Sequence, residues 1–160
     1  MLRGPTLFAG YEGTDPTSVE VDAEGWLHTG DLATIADGYV TLHGRCKNVI
    51  INAASRNISP EWVEGIYREH DAVKDIVVFG DKLEQLVALV VSEHDNGAEV
   101  RRALDETARR RLPDYARVSD FVVMTTSDPR VAELFTLTGR PRRDLIWPLL
   151  VASIGSLTVR

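Results

Sequence analysis

Apolar residues change their spacing several times along this chain, and each change marks an element. Between residues 26 and 46 they alternate with polar ones, as in Tyr39-Val40-Thr41-Leu42, and Asp37-Gly38 supplies a two-residue hairpin turn. Residues 7–11 also read as extended, so the first part of the chain is expected to be β-structure. A short apolar run at residues 49–51 predicts another strand. Ser59-Pro60-Glu61 then combines an N-cap, a first-turn proline and an early acid, which predicts a helix to about His70. Trp62, Val63, Ile66 and Tyr67 fall on one face of its 3.6-residue period.

Two β-branched runs follow, at residues 73–80 and 85–92, separated by the polar turn Asp81-Lys82-Leu83-Glu84. Their pattern predicts a hairpin. A second helix is expected over residues 98–112, where Val100, Leu104, Ala108 and Leu112 recur every fourth position and Pro113 stops the run. Residues 121–124 predict a strand, 125–129 a flexible linker, and 142–151 a last helix interrupted by Pro148. Residues 47–146 thus read β-α-β-β-α-β-(α), an α+β fold in which helices cover a small mixed sheet.

Composition narrows the function classes. The 160 residues are 44% hydrophobic and 26% charged, as in an ordinary globular chain. Lys+Arg of 18 against Asp+Glu of 24 gives a formal net charge of -6, which opposes attraction to nucleic acid or anionic bilayers. One cysteine, Cys46, cannot form an internal disulfide, and no run of apolar residues is long enough to span a membrane. A cytoplasmic location is expected. His28, His43, His70 and His94 lack metal-ligand spacing, so no metal site is expected.

Six segments, in order, carry a specific resemblance. They are Gly4-Pro5 through Gly10-Tyr11, Gly25-Trp26-Leu27-His28-Thr29-Gly30-Asp31-Leu32, Gly44-Arg45-Cys46-Lys47, Asn57-Ile58-Ser59-Pro60-Glu61, Leu112-Pro113-Asp114-Tyr115, and Leu137-Thr138-Gly139-Arg140-Pro141-Arg142-Arg143. Together they resemble the C-terminal portion of the adenylate-forming superfamily: acyl-CoA synthetases, nonribosomal adenylation domains and luciferases. The likeness is nearest to fatty-acyl-CoA ligases. It implies that residues 1–46 are the terminal β segment of a large N-terminal domain, that residues 47–146 are the C-terminal lid domain, and that residues 147–160 are a tail of unknown role. The superfamily's glycine-rich phosphate loop has no match in these 160 residues.

The resemblance implies two-step chemistry, in which a carboxylate attacks ATP to give an acyl-adenylate and a thiol of CoA then displaces AMP. ATP/AMP, Mg²⁺ and CoA are the implied cofactors, none expected to bind tightly to this chain alone. Asp31 would accept hydrogen bonds from ribose hydroxyls and Arg45 would donate nearby; the local alternative is a tight turn and a surface cation. Lys47 takes the hinge position. The loop containing Ala54, Ser55 and Arg56 would line the CoA channel, although the family usually has a glycine where Ala54 and Ser55 stand. Arg140 occupies the catalytic-lysine position, offering a planar fork in place of a compact ammonium, so adenylation is expected to be impaired. Its alternative is membership of a solvated cluster with Arg142 and Arg143. Arg109-Arg110-Arg111 reads as a solvated helix end, or as a contact for CoA phosphates. Trp26 and Trp62 read as core or interface aromatics.

Two functions remain open at this point. One is a lid fragment of an AMP-forming carboxylate (fatty acid)-CoA ligase, inactive alone and completed by an N-terminal adenylation domain in trans. The other is a non-catalytic ligase remnant used for protein binding or as a homo-oligomer.

Overall fold

A computed structural model describes residues 1–7 and 21–155. The expectation for residues 8–11, and for the tail beyond residue 155, lies outside the described residues. The chain divides into two compact units, Met1–Lys47 and Asn48–Arg160.

In the first unit, β1 (Asp31–Ala36) pairs antiparallel with β2 (Tyr39–Arg45). Asp37 and Gly38 have φ of 53° and 81°, the left-handed pair that a type I′ hairpin turn requires. Ala33 lies opposite Leu42 and Ile35 opposite Val40, so these four apolar residues share one face. The strand expected to start near residue 26 begins only at Asp31. Upstream, Asp22 Oδ1 accepts the N–H groups of Glu24 and Trp26, and Gly25 and Gly30 adopt positive φ. These turns leave Leu27 with isolated bridges to Leu2 and Val21.

The second unit opens with β3 (Ile50–Ile51), paired to β4 (Asn57–Ile58). The latter is a strand that its two residues were too short to announce. Next, α1 (Pro60–Arg68) starts where Ser59 Oγ accepts the Trp62 N–H. A sheet then forms from β5 (Asp75–Phe79), β6 (Leu86–Ser92) and β7 (Val118–Thr125) in that order. β5 and β6 are antiparallel, whereas β6 and β7 are parallel and joined by α2 (Gly97–Arg111). The sheet is therefore mixed.

All seven residues of β6 are buried, which explains why the run reads as continuously apolar. Its alternating side chains serve two cores. Leu86, Ala88 and Val90 join Val63 and Tyr67 of α1 and Val100 and Leu104 of α2 on one face. Val87 and Leu89 meet Leu134, Ile146 and Leu150 on the other. Those last three come from α3 (Val131–Leu134) and α4 (Arg143–Ile154). Pro148 does not interrupt α4, because Ile146 and Leu150 anchor the helix on either side of it. Residues 125–129 form a hydrogen-bonded turn, not a flexible linker: Asp128 N–H reaches Thr125 C=O at 3.0 Å, and Arg130 pairs with the Asp128 carboxylate. Trp62 lies 38% exposed, since the buried side of α1 is centred on Val63, Glu64 and Tyr67 instead.

Tyr67 ties α1 to the sheet. Its ring meets Phe121 edge-on at 5.6 Å, its hydroxyl oxygen accepts the Val118 N–H at 3.2 Å, and burial pushes its pKa up to about 12. Replacing Tyr67 with Phe strands that N–H in the core, so unfolding in urea should show a loss of about 1–3 kcal/mol with secondary structure retained. An unchanged midpoint would count against the assignment.

Candidate functional site

The hairpin of the first unit brings two of the sequence-predicted residues together. Asp31 and Arg45 are register partners on β1 and β2, and Arg45 Nε lies 2.9 Å from Asp31 Oδ1. The other Asp31 oxygen has no partner among the described residues, leaving it open to a hydroxyl donor. Trp26 lies under the Arg3 guanidinium at 5.1 Å, a local contact. Asp22 holds the turn beneath it, and the Trp26 N–H, together with His28, keeps its carboxyl below the usual range.

Lys47 is exposed in the 3-10 turn Cys46–Asn48, where the two units meet in sequence. The loop that follows is built around Asn52, which is 7% exposed. Its Oδ1 accepts the N–H groups of Ala54 and Arg56 at 3.1 and 3.0 Å, and Ser55 N–H donates to its carbonyl. Ser55 adopts φ 57°, so the left-handed turn that favours glycine is made here by serine. Arg56 lies over the Tyr115 ring at 5.0 Å.

Arg140 sits in a tight loop closed by the Phe135–Pro141 bridge. Thr136 N–H donates to Arg140 C=O at 2.8 Å, Arg140 N–H to Thr136 Oγ1 at 3.0 Å, and Gly139, with φ 75°, donates to Thr136 C=O. The Arg140 guanidinium is exposed and makes no ion pair with any described residue. A solvated cluster with Arg143 is not what forms. Arg143 is half-buried: its fork donates to Val78 C=O at 2.7 Å and to Glu64 Oε1 at 2.9 Å, and it lies 5.0 Å over Phe79. The run at 109–111 is exposed, as expected for a solvated helix end, and Arg111 pairs there with Glu69, the C-cap residue of α1, which lowers the Glu69 pKa.

Sequence reasoning gave Glu64 no role of its own. It is 4% exposed on the buried side of α1, accepts the Val78 N–H at 2.9 Å, and faces Arg68 as well as Arg143. An acid within an apolar helix face was the available signal, since buried charge demands a partner. Burial raises its pKa, against the pull of the Val78 N–H and the two guanidiniums. A separate cleft of about 420 Å³ is lined by His70, His94, Glu99 and Arg102 among others, and by none of the predicted site residues. Among the described residues no group of three or more His, Cys, Asp or Glu could hold a metal ion, and no helix is long and apolar enough to cross a membrane.

The three-stranded mixed sheet covered by helices on both faces has counterparts among known proteins. A family model, the AMP-binding enzyme C-terminal domain, matches residues 62–133. The adenylation domain of a carboxylate reductase from Mycobacterium chelonae superposes with a TM-score of 0.70 at 20% identity, covering 88% of this chain and 24% of that one. The O-succinylbenzoate coenzyme A synthetase of Bacillus subtilis, in complex with ATP and magnesium ion, gives 0.62 at 26% identity over 76% of this chain and 26% of its own. Over residues 62–133 the chain matches the C-terminal domain of AMP-binding enzymes, and its fold is that of adenylate-forming enzymes.

Its curated relatives narrow the likeness. A long-chain-fatty-acid–CoA ligase of Mycobacterium tuberculosis is 28% identical over 135 residues, which is 84% of this chain and 22% of the ligase. Long-chain-fatty-acid–CoA ligase 6 of Rattus norvegicus is 36% identical over 95 residues, 58% of this chain and 14% of that ligase. The chain thus spans about a fifth or less of the length of these relatives.

Two measurements test the local chemistry. The raised Glu64 pKa means that the folded state binds its proton more tightly than the unfolded chain does. Its contribution to stability is therefore fully present below the ordinary value of 4.5 and is lost as pH rises through the raised folded value. The wild-type unfolding free energy minus that of Glu64→Gln should fall across this window and then level off; a difference that rises with pH would overturn the assignment. Ser55→Gly should relieve the positive φ and raise stability by about 1 kcal/mol, read as a higher urea midpoint.

Proposed function

We propose that this chain supplies the mobile lid of an ATP-dependent, AMP-forming carboxylate–CoA ligase acting on fatty acids in the cytoplasm, completed by an N-terminal adenylation domain. One observation carries the reading. The loop 135–141 is braced by its own hydrogen bonds and holds out Arg140, at the catalytic-lysine position, with its guanidinium unpaired among the described residues. A cation held outward in a fixed loop suits charge that gathers when a carboxylate meets a phosphate.

The other residues take consistent roles. Residues 1–46 are the end of the large domain, where the open oxygen of Asp31 accepts ribose hydroxyls and Arg45 fixes its partner oxygen. Lys47 is the hinge, placed in water where a torsion change disturbs no packing. Ala54, Ser55 and Arg56 border the channel for the thiol arm, with Ser55 already in the conformation that a glycine would adopt. When bound, ATP would supply the phosphorus electrophile and Mg²⁺ would offset its negative charge, with Asp31 and Arg45 on the ribose side and Arg140 on the phosphate side. Arg140 keeps the charge of a lysine but spreads it over a fork, which sets adenylation below that of a lysine lid.

The apolar face of the hairpin supports a second reading, a remnant used in protein contact. Ile35, Val40 and Leu42 are 77%, 62% and 69% exposed on one side. A stable dimer in sedimentation, abolished by Val40→Lys, would favour it.

Mixing the chain with a partner N-terminal domain, ATP, Mg²⁺ and a fatty acid should release pyrophosphate, and Arg140→Lys should accelerate that release by on the order of 10²-fold. Silence from both versions would sink the lid reading.

A further inference from the structure

The loop that carries Arg140 has its feet close together. Phe135 bridges Pro141, and Arg142 N–H donates to Leu134 C=O at 2.8 Å. The next residue is Arg143, whose fork spans Val78 C=O and Glu64 Oε1. That same Glu64 oxygen takes the Val78 N–H. Both main-chain groups of one residue on edge strand β5 are therefore claimed by a single acid–base couple, one partner from α1 and the other from the first turn of α4. The Arg143 guanidinium also lies over Phe79, whose ring meets Trp147 one turn further along α4 at 5.7 Å.

We propose that Glu64, acting through Arg143, is a positioning residue for Arg140, a role that rests on the lid reading above. Accepting the Val78 N–H needs only a neutral oxygen. A carboxylate, nearly excluded from water, is matched instead to the guanidinium that stands directly after the loop. Since the loop is hydrogen-bonded within itself, a displacement at its foot carries to its tip. Glu64 thereby fixes where the charge of Arg140 is presented without touching substrate.

Hydrogen–deuterium exchange on the 160-residue chain separates this role from simple stabilisation, because it reads the loop and the core independently. In Glu64→Ala, the amides of Gly139, Arg140 and Arg142 should exchange about tenfold faster, while those of β6 change by less than about threefold. Glu64→Gln keeps an oxygen for both donors but loses the charge, so its loop amides should exchange at rates between those of wild type and Glu64→Ala. Unchanged loop amides in Glu64→Ala, or loop and β6 amides accelerating in proportion, would overturn the proposal. If the alanine variant does not fold, Arg143→Lys gives the same reading, since one ammonium cannot span both acceptors as a fork does. In the paired-domain assay with the Arg140→Lys background, Glu64→Ala should lower kcat about tenfold with KM for ATP unchanged. An unaltered kcat alongside an opened loop would also overturn positioning. A paired system silent in every version defeats the lid reading and leaves the exchange result standing by itself.

Discussion

An edge strand is a row of unpaired main-chain groups, and β5 has to be closed before anything else in the second unit can be settled. Side chains close it. Glu64 takes the Val78 N–H, Arg143 takes the Val78 carbonyl, and Arg68 reaches the Ile76 carbonyl at 3.2 Å. The three come from both faces of the sheet, so the bonds that blunt the edge also connect α1 to α4. Arg68 and Arg143 both keep part of their guanidinium in water, so neither leaves a fully desolvated charge at the edge. Two cores that share only the sheet are thus joined a second time around its margin.

The fold was legible in the sequence wherever a pattern was local. Ser59-Pro60-Glu61 located the start of α1, Asp37-Gly38 the hairpin turn, and the two β-branched runs the pairing of β5 with β6. A mixed sheet was expected, but which strand runs parallel was not legible, because the residues of β7 that pair with β6 lie beyond a whole helix and nothing in their spacing records direction. The break at Pro148 was overread. Proline removes one helical hydrogen bond, but Ile146 and Leu150 keep the helix seated on either side. Of the two readings of Trp62, core or interface aromatic, its 38% exposure excludes the fully buried one, and the β5 edge instead takes Glu64 as the buried neighbour.

The surroundings of the candidate residues were not legible. Asp31 and Arg45 stand 14 places apart in sequence and face each other only because the hairpin register sets them opposite. Arg140, Arg142 and Arg143 look like one basic cluster in the sequence, yet Arg143 turns inward to a partner 79 residues away. The two departures from the family pattern behave differently. Serine at position 55 is absorbed by local geometry, with Asn52 holding the turn around it. The guanidinium at position 140 makes no ion pair with any described residue.

The parallel joining of β6 to β7 also fixes the order in which this unit can be completed during synthesis. A chain that has emerged as far as Ser92 can pair β5 with β6, and the α1 side can begin to gather. The face carrying Val87 and Leu89 has no cover until residues 134–150 leave the ribosome. At about 5–20 residues per second, that surface stays open for several seconds. Closure of the second core is therefore a late event, and a nascent chain stalled in α2 would present an apolar sheet face to chaperones.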